Sequence, residues 1–203
     1  IGFDYGQRHS VEMTCRLEVL RQLRDQFPDW AQKLGEDHVC DLSVLGAISE
    51  TSLTRDTSIA VESQGLPNTF VPGRNLMFLT MTAAIAWRRG INTLVGGMCE
   101  TDYSGYPDCR RGTLDAQELT LSRGMERPFV IDTPLMWLDK AESWELAEET
   151  GGGALVDRVM EHTNTCYMGD REHRHEWGYG CGTCPAWDLR GKGYQTWRQA
   201  VPA

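Results

Sequence analysis

An α/β fold built on a parallel sheet is what this sequence predicts, and three observations lead there. Short apolar runs of strand character recur along the 203 residues, and segments with apolar positions at helical spacing separate them. One such run, Thr93-Leu-Val-Gly-Gly97, leads straight into a loop crowded with acids, tyrosines and cysteines, Gly96 to Cys109. In open parallel sheets, ligands sit in the crevice beyond the carboxyl ends of the strands, so that loop marks a ligand edge. Beyond Thr163 the pattern changes to Gly, Cys, His and Trp with little periodicity, which suggests a small metal-tied appendage. The expected division is therefore residues 1–162 and 163–203.

Ile1 to Tyr5 reads as the first strand. Gly6-Gln-Arg-His-Ser10 ends it, and the Ser10 hydroxyl can cap the helix that follows. Val11 to Phe27 carries Val11, Cys15, Val19 and Leu23 on one helical face, and Pro28 helps to stop it. A second strand-like run, Val39-Cys-Asp-Leu-Ser-Val-Leu45, precedes a long polar connector from Gly46 to Leu66. Pro67-Asn-Thr-Phe-Val-Pro-Gly-Arg-Asn75 launches a helix over Asn75 to Arg89. Arg74 beside the free N–H groups of that helix start suits an anion, although a plain helix entry uses the same residues. Ile91 to Gly97 reads as a buried strand, Leu114 to Ser122 as a helix, and Phe129 to Asp132 as a further strand. The turn Thr133 to Lys140 leads to a helix over Ala141 to Glu149, a break at Gly151-Gly-Gly153, and a short helix over Ala154 to Met160.

Composition narrows the function. A 40% hydrophobic content can fill a core, and no apolar run reaches the length that a membrane helix needs. The formal charge of −9 argues against a protein that coats nucleic acid, because phosphate binding rests on clustered Lys and Arg. A small-molecule substrate is the better expectation. Seven cysteines, an odd count without a secretory signal, imply reduced thiols in the cytoplasm and a metal site instead of a disulfide framework.

Two groups of residues carry chemistry. In the loop, Glu100, Asp102 and Asp108 could accept N–H bonds from a flat, nitrogen-rich ring while Tyr103 or Tyr106 stacks on its face; an ordinary surface turn is the alternative. Near the C-terminus, Cys181-Gly-Thr-Cys184 is a knuckle whose thiolates can grip one ion, with Cys166 upstream across a loop. Trp187 falls where a second Cys-x-x-Cys step would place a fourth thiolate, and His173 or His175 could supply the missing donor. An exchangeable water on zinc, or three unligated or redox-active thiols, are the other readings.

Taken together, six runs resemble the 7-cyano-7-deazaguanine synthase (QueC) family of the queuosine pathway. They are Phe3-Asp-Tyr-Gly-Gln-Arg-His9, Ser52-Leu-Thr-Arg-Asp56, Pro67 to Asn75, Cys99-Glu-Thr-Asp-Tyr-Ser-Gly-Tyr-Pro-Asp-Cys109, Thr133-Pro-Leu-Met-Trp-Leu-Asp-Lys140 and Gly180-Cys-Gly-Thr-Cys184. The resemblance spans the chain from its first residues to about Arg190. It implies an adenine-nucleotide α-hydrolase-like fold of the ATP-pyrophosphatase type, and a ligase that joins 7-carboxy-7-deazaguanine and ammonia at the expense of ATP. It also implies zinc, Mg2+ with the ATP, and a homodimer. By the same resemblance, Glu100, Asp102, Tyr103, Tyr106 and Asp108 are candidates for reading the base. Arg74 and Lys140 are candidates for stabilising phosphate or acyl-adenylate charge, Arg8, His9 and Asn75 for the nucleotide, and Cys166, Cys181 and Cys184 for zinc.

Two departures from the family pattern stand out. The phosphate-binding loop Ser-Gly-Gly-x-Asp-Ser/Thr does not occur in the chain, and the expectation is that it precedes Ile1. The family's usual fourth zinc cysteine is replaced by Trp187, and the loop Arg171-Glu-His-Arg-His-Glu-Trp177 is enlarged. The competing function is a non-catalytic or divergent member that binds or adenylates a different carboxylate. A zinc-knuckle nucleic-acid binder fits the net charge poorly.

Overall fold

The computed structural model describes residues 1–60, 65–101 and 105–200. They form two compact units, one of Ile1–Leu42 with Asp139–Ala203 and one of Ser43–Leu138.

In the first unit, β1 (Gly2–Asp4) pairs in parallel with β2 (Val39–Asp41), with Phe3 opposite Cys40. The connection is α1 (Val11–Gln26), which buries Cys15, followed by the single turn α2 (Pro28–Ala31). Ser10 holds the N-cap position of α1, but its hydroxyl makes no capping bond; its carbonyl accepts from Met13 N instead. The second strand is shorter than the run Val39 to Leu45 suggests. It ends at Asp41, and α3 (Ser43–Ile48) begins two residues on in the other unit, with Leu45 buried.

The C-terminal part of this first unit is built on α6 (Lys140–His162). Asp139 caps it by accepting from Ala141 N and Glu142 N, and the Glu142 side chain returns the bond to Asp139 N, a complete capping box. The expected break falls at Gly152, whose φ of 63° and ψ of −168° leave the helical region. A two-residue hairpin follows, β5 (Arg174–His175) against β6 (Gly178–Tyr179), and then α7 (Pro185–Ala200). The weak periodicity after Thr163 does not signal α7. Its inner face is Trp187, Arg190, Gly191, Tyr194 and Trp197, a helical spacing carried by indole, guanidinium and glycine instead of aliphatic side chains. Gly193 lets α7 meet the start of α6: a Cβ there would lie 2.3 Å from Lys140 Cβ. Trp144, Val156 and Trp197 form the buried core, with Trp144 and Trp197 stacked at 6.0 Å.

Arg190 is 7% exposed and has its hydrogen bonds inside this packing. It donates to Val159 O, Trp177 O and the hydroxyls of Thr163 and Thr165, and its guanidinium lies 5.2 Å from the Trp144 ring. Burial pushes its pKa down to about 10, so it remains a cation at neutral pH. It ties the segment leading to Cys166 to the helix that follows Cys184.

In the second unit, α4 (Arg74–Arg89), β3 (Thr93–Val95), α5 (Arg111–Gly124) and β4 (Val130–Asp132) form the body. The strands pair in parallel, Leu94 opposite Ile131. Leu79, Ala83 and Ala86 of α4 and Leu114 and Leu121 of α5 close over Leu94, Phe129, Ile131 and Met136. Burying one such leucine is worth about 1.5–3 kcal/mol. Strand β3 is half-buried, not buried throughout: Leu94 faces this core while Val95 is 70% exposed. No helix among the described residues is long and apolar enough to cross a membrane.

Candidate functional site

The acid-rich loop leaves β3 under tight backbone control. Gly96 N donates to Asp132 O and Glu100 N to Met136 O, so the loop start follows the end of β4. Thr101 Oγ1 donates to Leu138 O at 2.6 Å, and Cys99 Sγ lies 3.2 Å from the same carbonyl. Asp102 and Tyr103 lie outside the described residues. After them, a 3-10 turn (Pro107–Cys109) leads into α5.

The two described acids of the loop each hold a helix start. Glu100 Oε2 accepts from Arg111 N, the first residue of α5, at 2.9 Å. Asp108 is 5% exposed, and its Oδ2 accepts from Asn75 N in the first turn of α4 at 3.1 Å. A carboxylate at the positive end of a helix dipole, on an otherwise orphan N–H, is favourable twice over. The Asn75 N–H at the Pro-Gly-Arg-Asn entry is thus taken by a carboxylate of this chain. Asn75 also donates its side-chain Nδ2 to Cys109 Sγ at 3.3 Å.

Tyr106 is buried, and its hydroxyl donates to Thr69 Oγ1 at 2.6 Å. Phe70 lies 5.7 Å from its ring, and the Arg74 guanidinium lies 5.7 Å from the ring centroid. Arg74, Asn75, Tyr106 and Asp108 therefore come together at the start of α4. Beside them stands a polar network that the sequence does not signal. Asn68 accepts from Ser52 Oγ and Ala60 N and donates to Ser58 O, holding the long connector against the Pro67 turn. Arg111 is a further missed residue: it donates to Ile131 O and Thr133 Oγ1 and pairs with Asp115 at 2.7 Å, fixing α5 to the end of β4.

Arg8, His9, Lys140 and the cysteines Cys166, Cys181 and Cys184 belong to the other unit. Lys140 opens α6 and is half-buried by its approach to Gly193. His9 packs against Gly169, where a Cβ would lie 2.9 Å from His9 Cβ, and its buried Nε2 has no hydrogen-bond partner among the described residues.

Cys166, Cys181 and Cys184 converge, their Sγ atoms all within 4.8 Å of one another. Tetrahedral zinc, with Zn–S near 2.3 Å, sets sulfurs about 3.8 Å apart, so the set fits that ion. Backbone amides supply further support. Cys181 N donates to Cys166 Sγ at 3.3 Å and Cys184 N to Cys181 Sγ at 3.4 Å. The amides of Asp170 and Met168 also favour the thiolate of Cys166, and those of Tyr167 and Trp187 the thiolate of Cys184. A hydrogen bond from the Cys184 thiol holds Cys166 far below the usual thiol range, and the same bond pushes Cys184 up. Cys166 is thus the ready thiolate, and a dication would make thiolates of all three. Among the described residues no histidine or carboxylate joins the set. His173 Nδ1 is paired with Asp170 Oδ2 at 2.7 Å, and His175 Nε2 with Gly180 O at 3.0 Å.

Known proteins place the chain. The profile of the family described as queuosine biosynthesis protein QueC matches residues 1–198. A 7-cyano-7-deazaguanine synthase of Polaromonas naphthalenivorans is 62% identical over 201 residues, 99% of this chain and 84% of the relative. Enzymes of the same name from Albidiferax ferrireducens and Bordetella pertussis are 60% and 59% identical, over 100% and 97% of the chain and 87% and 81% of their own lengths. With its motifs in order, its parallel strands and its cysteine triad, the chain belongs to the QueC family of queuosine biosynthesis proteins.

Proposed function

We propose that the chain is an ATP-dependent ligase converting 7-carboxy-7-deazaguanine and ammonia into 7-cyano-7-deazaguanine in queuosine biosynthesis. The observation that carries this is the 62% identity, across 99% of the chain, to a 7-cyano-7-deazaguanine synthase. A carboxylate is a poor electrophile, and its oxygen is a poor leaving group. Adenylation by a first ATP releases pyrophosphate, and ammonia then displaces AMP to give the amide. A second adenylation on the amide oxygen releases another pyrophosphate, and loss of AMP with two protons leaves the nitrile. Each nitrile thus consumes two ATP.

The residues suit distinct parts of this task. Arg74 and Lys140 would stabilise phosphate charge, a role in which a preorganised cation contributes strongly. Glu100 and Asp108 each commit one oxygen to a helix, and a carboxylate has further lone pairs for ring N–H groups. Asp102, Tyr103 and Tyr106 are the further candidates for reading the base, and Arg8, His9 and Asn75 the candidates for contacting the nucleotide. Cys166, Cys181 and Cys184 would hold zinc, which would brace the C-terminal hairpin and α7 when bound. Mg2+ with ATP, a homodimer and a cytoplasmic setting accompany this reading.

The test is direct. Protein incubated with 7-carboxy-7-deazaguanine, ammonium and Mg-ATP should yield the cyano product by mass spectrometry, with about two AMP per nitrile as the stoichiometry of two activations requires. AMP release without nitrile, or nitrile from none of these mixtures, would overturn the proposal.

A further inference from the structure

We infer that the three cysteines hold zinc with one exchangeable coordination position, filled from solution by a water that a small thiol displaces. Protein-bound zinc is four-coordinate in closed structural sites, whereas a site with three protein donors keeps its fourth position for an outside ligand. The set here is three sulfurs within 4.8 Å of one another, with no further donor among the described residues.

Each residue that could close the site is engaged elsewhere. His173 is held by Asp170, which also accepts from His173 N and Glu172 N. His175 has its Nε2 on Gly180 O, and its ring lies against Trp177 and Trp187, with centroids 5.5 and 5.2 Å away. Trp187 stands three residues after Cys184, the next step of the knuckle spacing. It is 1% exposed and packs on Gly180, where a Cβ would come within 2.5 Å of the indole. An indole lends no lone pair to a metal, so Trp187 supplies no donor at that step of the knuckle.

The exchange is balanced: the thiol RSH loses its proton to solvent, its sulfur bonds zinc, and one water departs. This inference concerns the metal centre alone and stands whether or not the ligase reading does.

Cobalt(II) reports the coordination that zinc hides. The full chain loaded with cobalt in place of zinc is titrated with 2-mercaptoethanol, with a phosphine as the reductant throughout. The expected result is a saturable shift of the ligand-field bands, with sulfur-to-cobalt charge transfer rising by about a third as three thiolates become four. Trp187→Cys should show the thiol-saturated spectrum without added thiol, cease to respond, and release its metal to a chelator about tenfold more slowly or less. Should that core substitution fail to fold, His175→Ala decides: it should keep both the thiol-free spectrum and the thiol response. The inference is overturned if the unmodified chain binds no cobalt, if its bands do not move with thiol, or if His175→Ala alters the thiol-free bands.

Discussion

The acid-rich loop and the cysteine centre are both short, polar and dense in heteroatoms, yet their hydrogen bonds run in opposite senses. In the loop, side chains serve the backbone: Glu100 and Asp108 accept from the first turns of α5 and α4. At the cysteine centre the backbone serves side chains: Cys181 N donates to Cys166 Sγ and Cys184 N to Cys181 Sγ. A carboxylate on a helix end has found a positive partner within the chain. A cluster of sulfurs ringed by N–H dipoles is prepared for negative charge and calls for a cation. The difference separates acids that shape a loop from thiolates that await a metal.

The largest effect should come from the cysteine side. Cys166→Ser should abolish stoichiometric zinc and remove on the order of 5 kcal/mol or more of stability in zinc-saturated buffer, read by urea unfolding with and without chelator. Arg190→Met comes next. It leaves the Trp177 carbonyl without its donor, while Val159 O keeps those of Thr163, and should cost about 1–3 kcal/mol while also weakening zinc retention. An Arg190→Met protein as stable as its parent would show that the guanidinium does not position Cys166.

On the loop side, Asp108→Ala should cost about 1–3 kcal/mol, because a buried helix N–H loses a charged acceptor, and Asp108→Asn should recover part of it. Glu100→Ala, at an exposed helix start, should cost only about 0.5–1 kcal/mol. If Asp108→Ala instead left stability intact, the contrast between the two regions would fail.

These helix-capping roles show what the sequence can and cannot carry. The loop from Gly96 to Cys109 and the triad Cys166, Cys181 and Cys184 are legible from local composition and spacing. The partners of Glu100 and Asp108 are not: they lie 11 and 33 residues away and are fixed by the tertiary fold. Helix α7 is hidden because glycine and arginine occupy its inner face, residues that ordinarily signal turns and surface. The short second strand has the converse cause: the apolar run to Leu45 does feed a core, but through α3.

The smallest effect is a pH dependence near the cysteine centre. Asp170 is held down at about 2 by N–H bonds from His173, and the His173 imidazole is raised above its ordinary 6.5 by that carboxylate. The histidine's contribution is therefore complete below its unfolded pKa and fades as pH rises through the raised folded value. That of Asp170 is complete above the ordinary carboxylate range and fades as pH falls toward 2. His173 faces solvent, so His173→Ala should flatten the alkaline part of the urea-midpoint profile only slightly.

Metal analysis of freshly purified, zinc-grown protein tests most directly whether the amide-ringed thiolates form a metal centre. About one zinc per chain, lost in Cys166→Ser and retained in Asp108→Asn, is the expected result. Near-zero zinc in the parent protein, with Cys166 and Cys181 open to a thiol reagent, would contradict it.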